Sequence, residues 1–393
     1  MSSERAYWLA WSRLKDVGPV TIKRLWEHFG SLAIAWQASA GELLAVDGIG
    51  LLSAEKITAL RLKLNPDSLL AQHEAANQSF WTPADADYPA LLFAINDPPP
   101  VLYYRGQLRV NSLDTLTVGI VGTRSPSPYG KRWTQRLSHK LTVQGGVIVS
   151  GLAAGIDTEA HQSCLKLKGL TIAVLGTGTD IVYPHRNREL YEQIVATGLV
   201  VSEYPDGTPP DKTHFPRRNR IIAGLSRALL VTEAPARSGA LITARLANDY
   251  CREVYALPCA LDNRQGEGCL HLINQGAQII LGEQILIEAL AALPPIAVEL
   301  SEQSGEIDSR TEVTLTDSST DSQAQPNAPE RALLPELSPL LCQVLEAVPI
   351  EPVVLDQIVP LARVTTSELL SALLQLELLG LVTQLPGMQY QRS

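Results

Sequence analysis

A chain of 393 residues, 45% hydrophobic and 19% charged, is too long for one ordinary domain and carries enough apolar mass for a sizeable core. No run approaches the roughly 20 apolar residues that span a bilayer. The start MSSERAYWLAWSR lacks the apolar stretch of a signal peptide, and the five cysteines show no CxxC spacing, so a cytoplasmic protein without disulfides, zinc or a membrane partner is expected. The net charge of −9 does not exclude a nucleic-acid partner: residues 1–300 hold 28 Lys+Arg and 28 Asp+Glu, whereas residues 301–393 hold 4 and 13. Phosphate binding answers to local potential, not to the sum.

Residues 1–65 read as short helices joined by glycine turns. The segment ELLAVDGIGLLSAEKITAL has the pattern of a helix-hairpin-helix (SAM-like) unit, with Gly48, Ile49 and Gly50 in the hairpin. A plain helical bundle whose glycines only turn corners fits equally well. The proline- and aromatic-rich residues 66–115 read as an irregular lead-in with one strand, VLYYRG. From residue 117 short apolar runs alternate with helix-length segments: TVGIVG, VIVSG, TIAVLG, LVVSEYP, ALLVTEA, EVYALP and AQIIL. Such runs, buried on both faces, predict an α/β, Rossmann-like, mostly parallel sheet within residues 66–293. Residues 294–336 read as an acidic, Ser/Thr-rich disordered linker. Residues 337–393 carry two short helices, LSPLLCQVLEAV and VVLDQIV, and a third, SELLSALLQLELLG, entered through a Thr365/Glu368 capping box. The hairpin LVTQL–MQYQR follows, which completes a winged-helix order.

In an open parallel sheet, ligands sit beyond the carboxyl ends of the strands, so the residues just after each strand carry the information. They are Gly122, Thr123, Arg124 and Ser125, with Lys131 in the helix that follows, and then Ser150 and Gly151 ahead of Asp157. After the third strand come GTGTD and the loop with His185 and Asn187. The fourth is followed by Phe215, Arg217, Arg218, Asn219 and Arg220, and the fifth by Arg237 and Ser238. The stretch 211–227 holds five bases against one acid. Arginine forks suit phosphate, Phe215 offers a stacking face, and Ser238 suits a helix cap. Duller roles exist for each: the glycines make βα turns, Asp157 satisfies backbone N–H groups, and Asp180 stabilises its own loop.

Neither GxGxxG, nor a P-loop, nor a GxSxG elbow, nor HExxH occurs, so neither cofactor, metal nor catalytic residues are expected. The segments VGIVGTR, SGLAAGID, LGTGTDIVYPHRN, FPRRNRIIAGLS and ARSGALITARLA, in this order, resemble the DprA/Smf family of DNA-processing proteins. The resemblance implies a non-enzymatic protein that binds single-stranded DNA, protects incoming strands during natural transformation and loads the RecA recombinase, commonly as a homodimer. Its motifs fall on Gly122-Thr123-Arg124 and on Phe215 to Arg220. His185 stands where many members have a lysine, a weaker phosphate contact that Arg186 or Arg188 would supplement. The alternative is a nucleotide-binding or nucleotide N-glycoside-hydrolysing Rossmann-like protein with Asp157 or Glu233 as its acid. The third helix of the C-terminal region offers Thr365, Ser367, Glu368, Ser371, Gln375 and Glu377 but neither Lys nor Arg, so that region is expected to meet protein instead of DNA.

Overall fold

In the computed structural model the chain forms two compact units, residues 1–304 and 305–393. The structure describes residues 3–76, 79–107, 116–294, 339–349, 353–362, 369, 372–373, 375–377, 381–385 and 389–392. Most of the acidic linker and the Thr365/Glu368 cap lie outside them. Among the described residues no helix is long and apolar enough to cross a membrane, and no two cysteines form a disulfide.

The first unit opens with six helices: α1 (Glu4–Ser12), α2 (Pro19–Phe29), α3 (Leu32–Gln37), α4 (Ala40–Leu43), α5 (Leu51–Arg61) and α6 (Pro66–Ala76). Local chemistry sets their starts. Ser31 caps α3, Ser39 and Glu42 form a capping box at α4, and Pro19 occupies the first turn of α2. The hairpin turn falls between α4 and α5, where Gly48 adopts φ 85°. Helix α6 replaces the irregular lead-in expected there. Asn65 Oδ1 accepts the Ser68 N–H at 2.9 Å and Pro66 starts the helix, a start signal hidden by the proline-rich composition around it. Leu69 and Leu70 of α6 pack on Leu9, Phe80, Val101 and Tyr103. Helix α1 and strands β1 (Phe80–Trp81) and β2 (Leu102–Gly106) therefore share one core, with α7 (Ala90–Phe93) between the two strands.

The chain then alternates as expected: β3 (Thr117–Gly122), α8 (Pro128–Val143), β4 (Val147–Ser150), α9 (Ile156–Lys166), β5 (Thr171–Leu175), α10 (Arg188–Thr197), β6 (Leu199–Ser202), α11 (His214–Gly224), β7 (Ala228–Glu233), α12 (Gly239–Asp249), β8 (Glu253–Ala256), α13 (Glu267–Asn274), β9 (Gln278–Ile279) and α14 (Glu283–Ala291). Among the described residues the strands of the sheet order as β1-β2-β6-β5-β4-β3-β7-β8-β9, parallel from β6 to β9. β2 joins β6 antiparallel, and β1 joins β2 likewise. Successive residues of each strand enter opposite cores. Val121, Val149, Ile172 and Val231 pack with Ile221, Ala244 and the N-terminal helices, whereas Ile120, Ile148 and Leu230 pack with Leu137, Ile156 and Leu290. From β3 the chain runs outward through β4, β5 and β6, then returns to β7 on the other side of β3. The sheet thus reverses direction between β3 and β7, and a crevice opens beyond their carboxyl ends.

The second unit contains α15 (Pro339–Ala347), β10 (Val353–Val354), α16 (Leu355–Ala362), β11 (Val382–Leu385) and β12 (Gln389–Arg392), with an antiparallel sheet of order β10-β12-β11. Val344, Ile358, Leu369, Leu373, Leu376, Val382 and Tyr390 form its core. The segment VVLDQIV is not helical throughout: Val353 and Val354 pair with β12 first.

Candidate nucleic-acid interface

The crevice between β3 and β7 is a cleft of about 590 Å3. Gly122, Thr123 and Arg124 form one wall, Arg237, Ser238 and Gly239 the opposite one, and Lys212, Phe215, Arg218 and Asn219 of the α11 region close it. The loop after β3 is held at both ends by Glu233. The Thr123 N–H donates to the Glu233 carbonyl at 2.7 Å, and the Ser127 N–H and hydroxyl donate to its carboxylate at 2.7 and 2.6 Å. Gly122 is required by this fit, because a Cβ there would lie 2.5 Å from Ile156 and 2.7 Å from the Glu233 carbonyl oxygen. Opposite, Ser238 caps α12 by accepting the Ala240 N–H, and Asn219 Nδ2 donates to the Gly239 carbonyl at 3.3 Å.

Three exposed cations rim the cleft, Arg124, Lys212 and Arg237, and none has an ion-pair partner among the described residues. The Arg124 guanidinium lies 5.6 Å above the Phe215 ring, and Tyr183 packs on that ring at 5.4 Å. An adjoining hollow of about 200 Å3 is lined by Arg124, Gly151, Tyr183, Phe215 and Arg218.

The basic stretch is a helix, and the helix sorts its arginines by face. Arg217 points to solvent and lines none of the hollows described. Arg218 is buried beneath the cleft floor, donating Nη1 to the carbonyls of Gly151 (2.6 Å) and Val174. Its guanidinium lies flat on Gly151, where a Cβ would come within 2.6 Å of it. Burial lowers its pKa to about 10, against the pull of Asp157 and with the repulsion of Arg124. Arg220 is also buried. It donates to the Asp97 carbonyl (2.6 Å) and Glu203 (2.5 Å) and pairs with the Asp97 carboxylate at 3.5 Å. Burial opposes its charge, but Glu203 and Asp97 outweigh it and hold the guanidinium above its ordinary pKa.

The other anticipated residues sit elsewhere. Ser125, Lys131 and Asn187 line a separate groove that shares Arg124 with the cleft. Asn187 is itself buried and donates to Leu152 O and Thr158 Oγ1, both at 2.9 Å. Ser150 is buried and donates to Ile120 O. His185 lines a hollow with Asp180, Arg188 and Tyr191. Lys212, one of the five bases of the 211–227 stretch, and Tyr183, in the loop after the third strand, line the cleft as well, because the fold brings both loops to it. Both candidate acids are engaged. Asp157 accepts the N–H groups of Gly151 (3.1 Å) and Ala153 (3.3 Å), and burial raises its pKa against Arg218. Glu233, 1% exposed, is the clamp on Ser127. Asp180 accepts the Gly207 N–H, so it joins its loop to the one after β6 instead of bracing its own loop.

Comparison with known proteins places this geometry in a family. The family model described as DNA recombination-mediator protein A matches residues 79–291, and the DprA winged helix domain matches residues 326–388. The protein Smf of Synechocystis sp. is 50% identical over 400 residues, covering 100% of this chain and 99% of that protein. The DNA processing protein DprA of Bacillus subtilis is 42% identical over 203 residues, covering 52% of this chain and 68% of that one. The X-ray structure of DprA from Streptococcus pneumoniae superposes with a TM-score of 0.63 at 33% identity, over 75% of this chain and 99% of that chain. A Helicobacter pylori DNA processing protein A, described for its single-stranded DNA binding mode, gives 0.50 at 34% identity, over 54% of this chain and 96% of that one. The chain belongs to the DprA/Smf family of DNA-processing proteins.

Proposed function

We propose that this protein binds single-stranded DNA in the cleft between β3 and β7, does no chemistry on it, and as a homodimer presents the strand to the RecA recombinase. The observation that carries the binding step is the meeting of three cations without an ion-pair partner among the described residues, Arg124, Lys212 and Arg237, in the cleft lined by Phe215, with Arg124 over its ring. Cations there hold phosphates, and an aromatic face accepts any base, a combination suited to a strand with unstacked bases. A duplex keeps its bases paired and gains only the charge. The relative from Helicobacter pylori supports the same ligand.

Fluorescence anisotropy of a labelled single strand and its duplex across a salt series tests this. Single strands are expected to bind more tightly than duplex, and Arg124→Ala to weaken binding about tenfold and shallow the salt slope by about 0.7. Equal affinity for duplex, or an Arg124→Ala variant that matches wild type, would overturn the reading. Strand exchange on DNA precoated with a single-strand-binding protein, with and without this protein, tests the RecA step.

A further inference from the structure

Arg124 belongs to two concavities. On one side lies the cleft; on the other is a groove of about 520 Å3 between the first turns of α8 and α9 and the turn at Arg186. Two further exposed cations, Lys131 and Arg186, line this second groove. Arg186 has no ion-pair partner among the described residues. The polar groups beside them, Ser125, Thr158 and Gln162, are neutral. A single acid faces them: Glu159, which meets Lys131 at 3.7 Å and accepts from Gln135 at 2.8 Å.

We propose that the bound strand does not end in the cleft but passes over Arg124 and lays its next phosphates in this second groove, on Lys131 and Arg186, with Glu159 as a counter-charge the DNA displaces. The inference rests on the cleft reading above and extends it. Three observations support one continuous occupant. Arg124 is the shared crest, so a phosphate on it faces both concavities. The groove lacks the aromatic wall of the cleft, which suits a stretch of backbone held by charge with its bases turned outward. Its one acid is already paired with one of its cations, so an incoming phosphate exchanges one partner of Lys131 for another, and Glu159 limits affinity instead of building it.

The test uses the full chain and labelled oligothymidylates of about 5 and about 16 nucleotides, spanning the usual range of single-strand site sizes. Lys131→Ala and Arg186→Ala are expected to weaken the long oligonucleotide about three- to tenfold and each to shallow its salt slope by about 0.7, leaving the short one unchanged. Lys131→Arg should retain wild-type affinity. Glu159→Gln should tighten the long oligonucleotide about two- to threefold. If both lengths weaken equally, or neither does while Arg124→Ala still weakens both, the second groove is not part of the path and the proposal falls, with the cleft reading intact. If Arg124→Ala leaves both lengths unaffected, the cleft reading falls and this proposal with it.

Discussion

The rim of the sheet and the layer beneath it use the same residue type to opposite ends. At the rim, Arg124 and Arg237 are exposed and have no ion-pair partner among the described residues. Away from the rim, Arg218, Arg220 and Arg252 are buried and spend their donors on the protein itself: Gly151 and Val174, Asp97 and Glu203, and the Leu91 carbonyl. Arg218 ties α11 to the ends of β4 and β5, whereas Arg220 and Arg252 tie α11 and the end of α12 to the segment before β2, where Tyr250 also reaches Asp97 at 2.6 Å. A count of arginines therefore overstates the charge available to DNA. The fold divides the arginines between holding the crevice open and filling it.

The sharpest way to break this comparison is Arg220→Ala. Removing one partner of a buried pair leaves Asp97 and Glu203 facing each other without their cation, a loss expected at about 3–5 kcal/mol. Urea unfolding would show it as a lower midpoint. A variant as stable as wild type but defective in DNA binding would move Arg220 from the buried layer to the rim.

The second effect concerns acid. His161 is fully buried, donates from Nδ1 to Thr171 Oγ1 at 2.7 Å, and leaves Nε2 without a hydrogen-bond partner among the described residues. The Thr171 hydroxyl is already donating to Ile148 O, which is why the imidazole must donate here. Burial, reinforced by Arg218, depresses its pKa from 6.5 to about 3. The fold thus favours the neutral ring, so this contribution is complete above the unfolded value of 6.5 and is lost as pH falls from there toward 3. Between about pH 6.5 and pH 5 the loss is on the order of 2 kcal/mol. The Tm of wild type should fall over that window, and that of His161→Leu should fall less. Parallel declines would show that His161 does not govern the acid sensitivity of this layer.

How much of this division could be read from the chain depends on what sorts the side chains. The alternation of strands and helices from residue 117 onward is legible because each apolar run ends at a glycine or a turn, and the structure keeps those elements within about three residues. That the loops after β3 and β7 meet follows from the rule of the reversing sheet, and Arg124, Phe215, Arg237 and Ser238 do line one cleft. The fate of Arg217, Arg218 and Arg220 was not legible, because a run of charge looks the same on a loop and on a helix. The helix decides which residues face inward, and the acids that hold Arg220, Asp97 and Glu203, lie 123 and 17 residues away. That Lys212, of the basic stretch, and Tyr183, of the loop after the third strand, also line the cleft was not legible for the related reason that their positions depend on how the two loops fold back toward Phe215.

At the rim itself the effects are smaller and fall on binding alone. Arg237→Ala should weaken a single strand about three- to tenfold with unchanged urea unfolding, since the side chain is exposed and makes no ion pair among the described residues. An equal loss of stability would place Arg237 with the buried layer.

The finest test separates two cations five positions apart in the chain. Lys212 lines the cleft, and Arg217 is equally exposed but does not. If proximity in sequence to the Phe215–Arg220 motif determines contact, Arg217→Ala should cost more than Lys212→Ala. If the helix has turned Arg217 away, Lys212→Ala should reduce the salt slope by about 0.7 and affinity a few-fold, while Arg217→Ala changes the slope by much less. Both variants keep the fold, because neither side chain touches the core, so the difference between their slopes reads geometry without a stability correction. A reversed order would mean that α11 presents its outer face to the strand, and that the binding surface extends along the helix, away from the cleft.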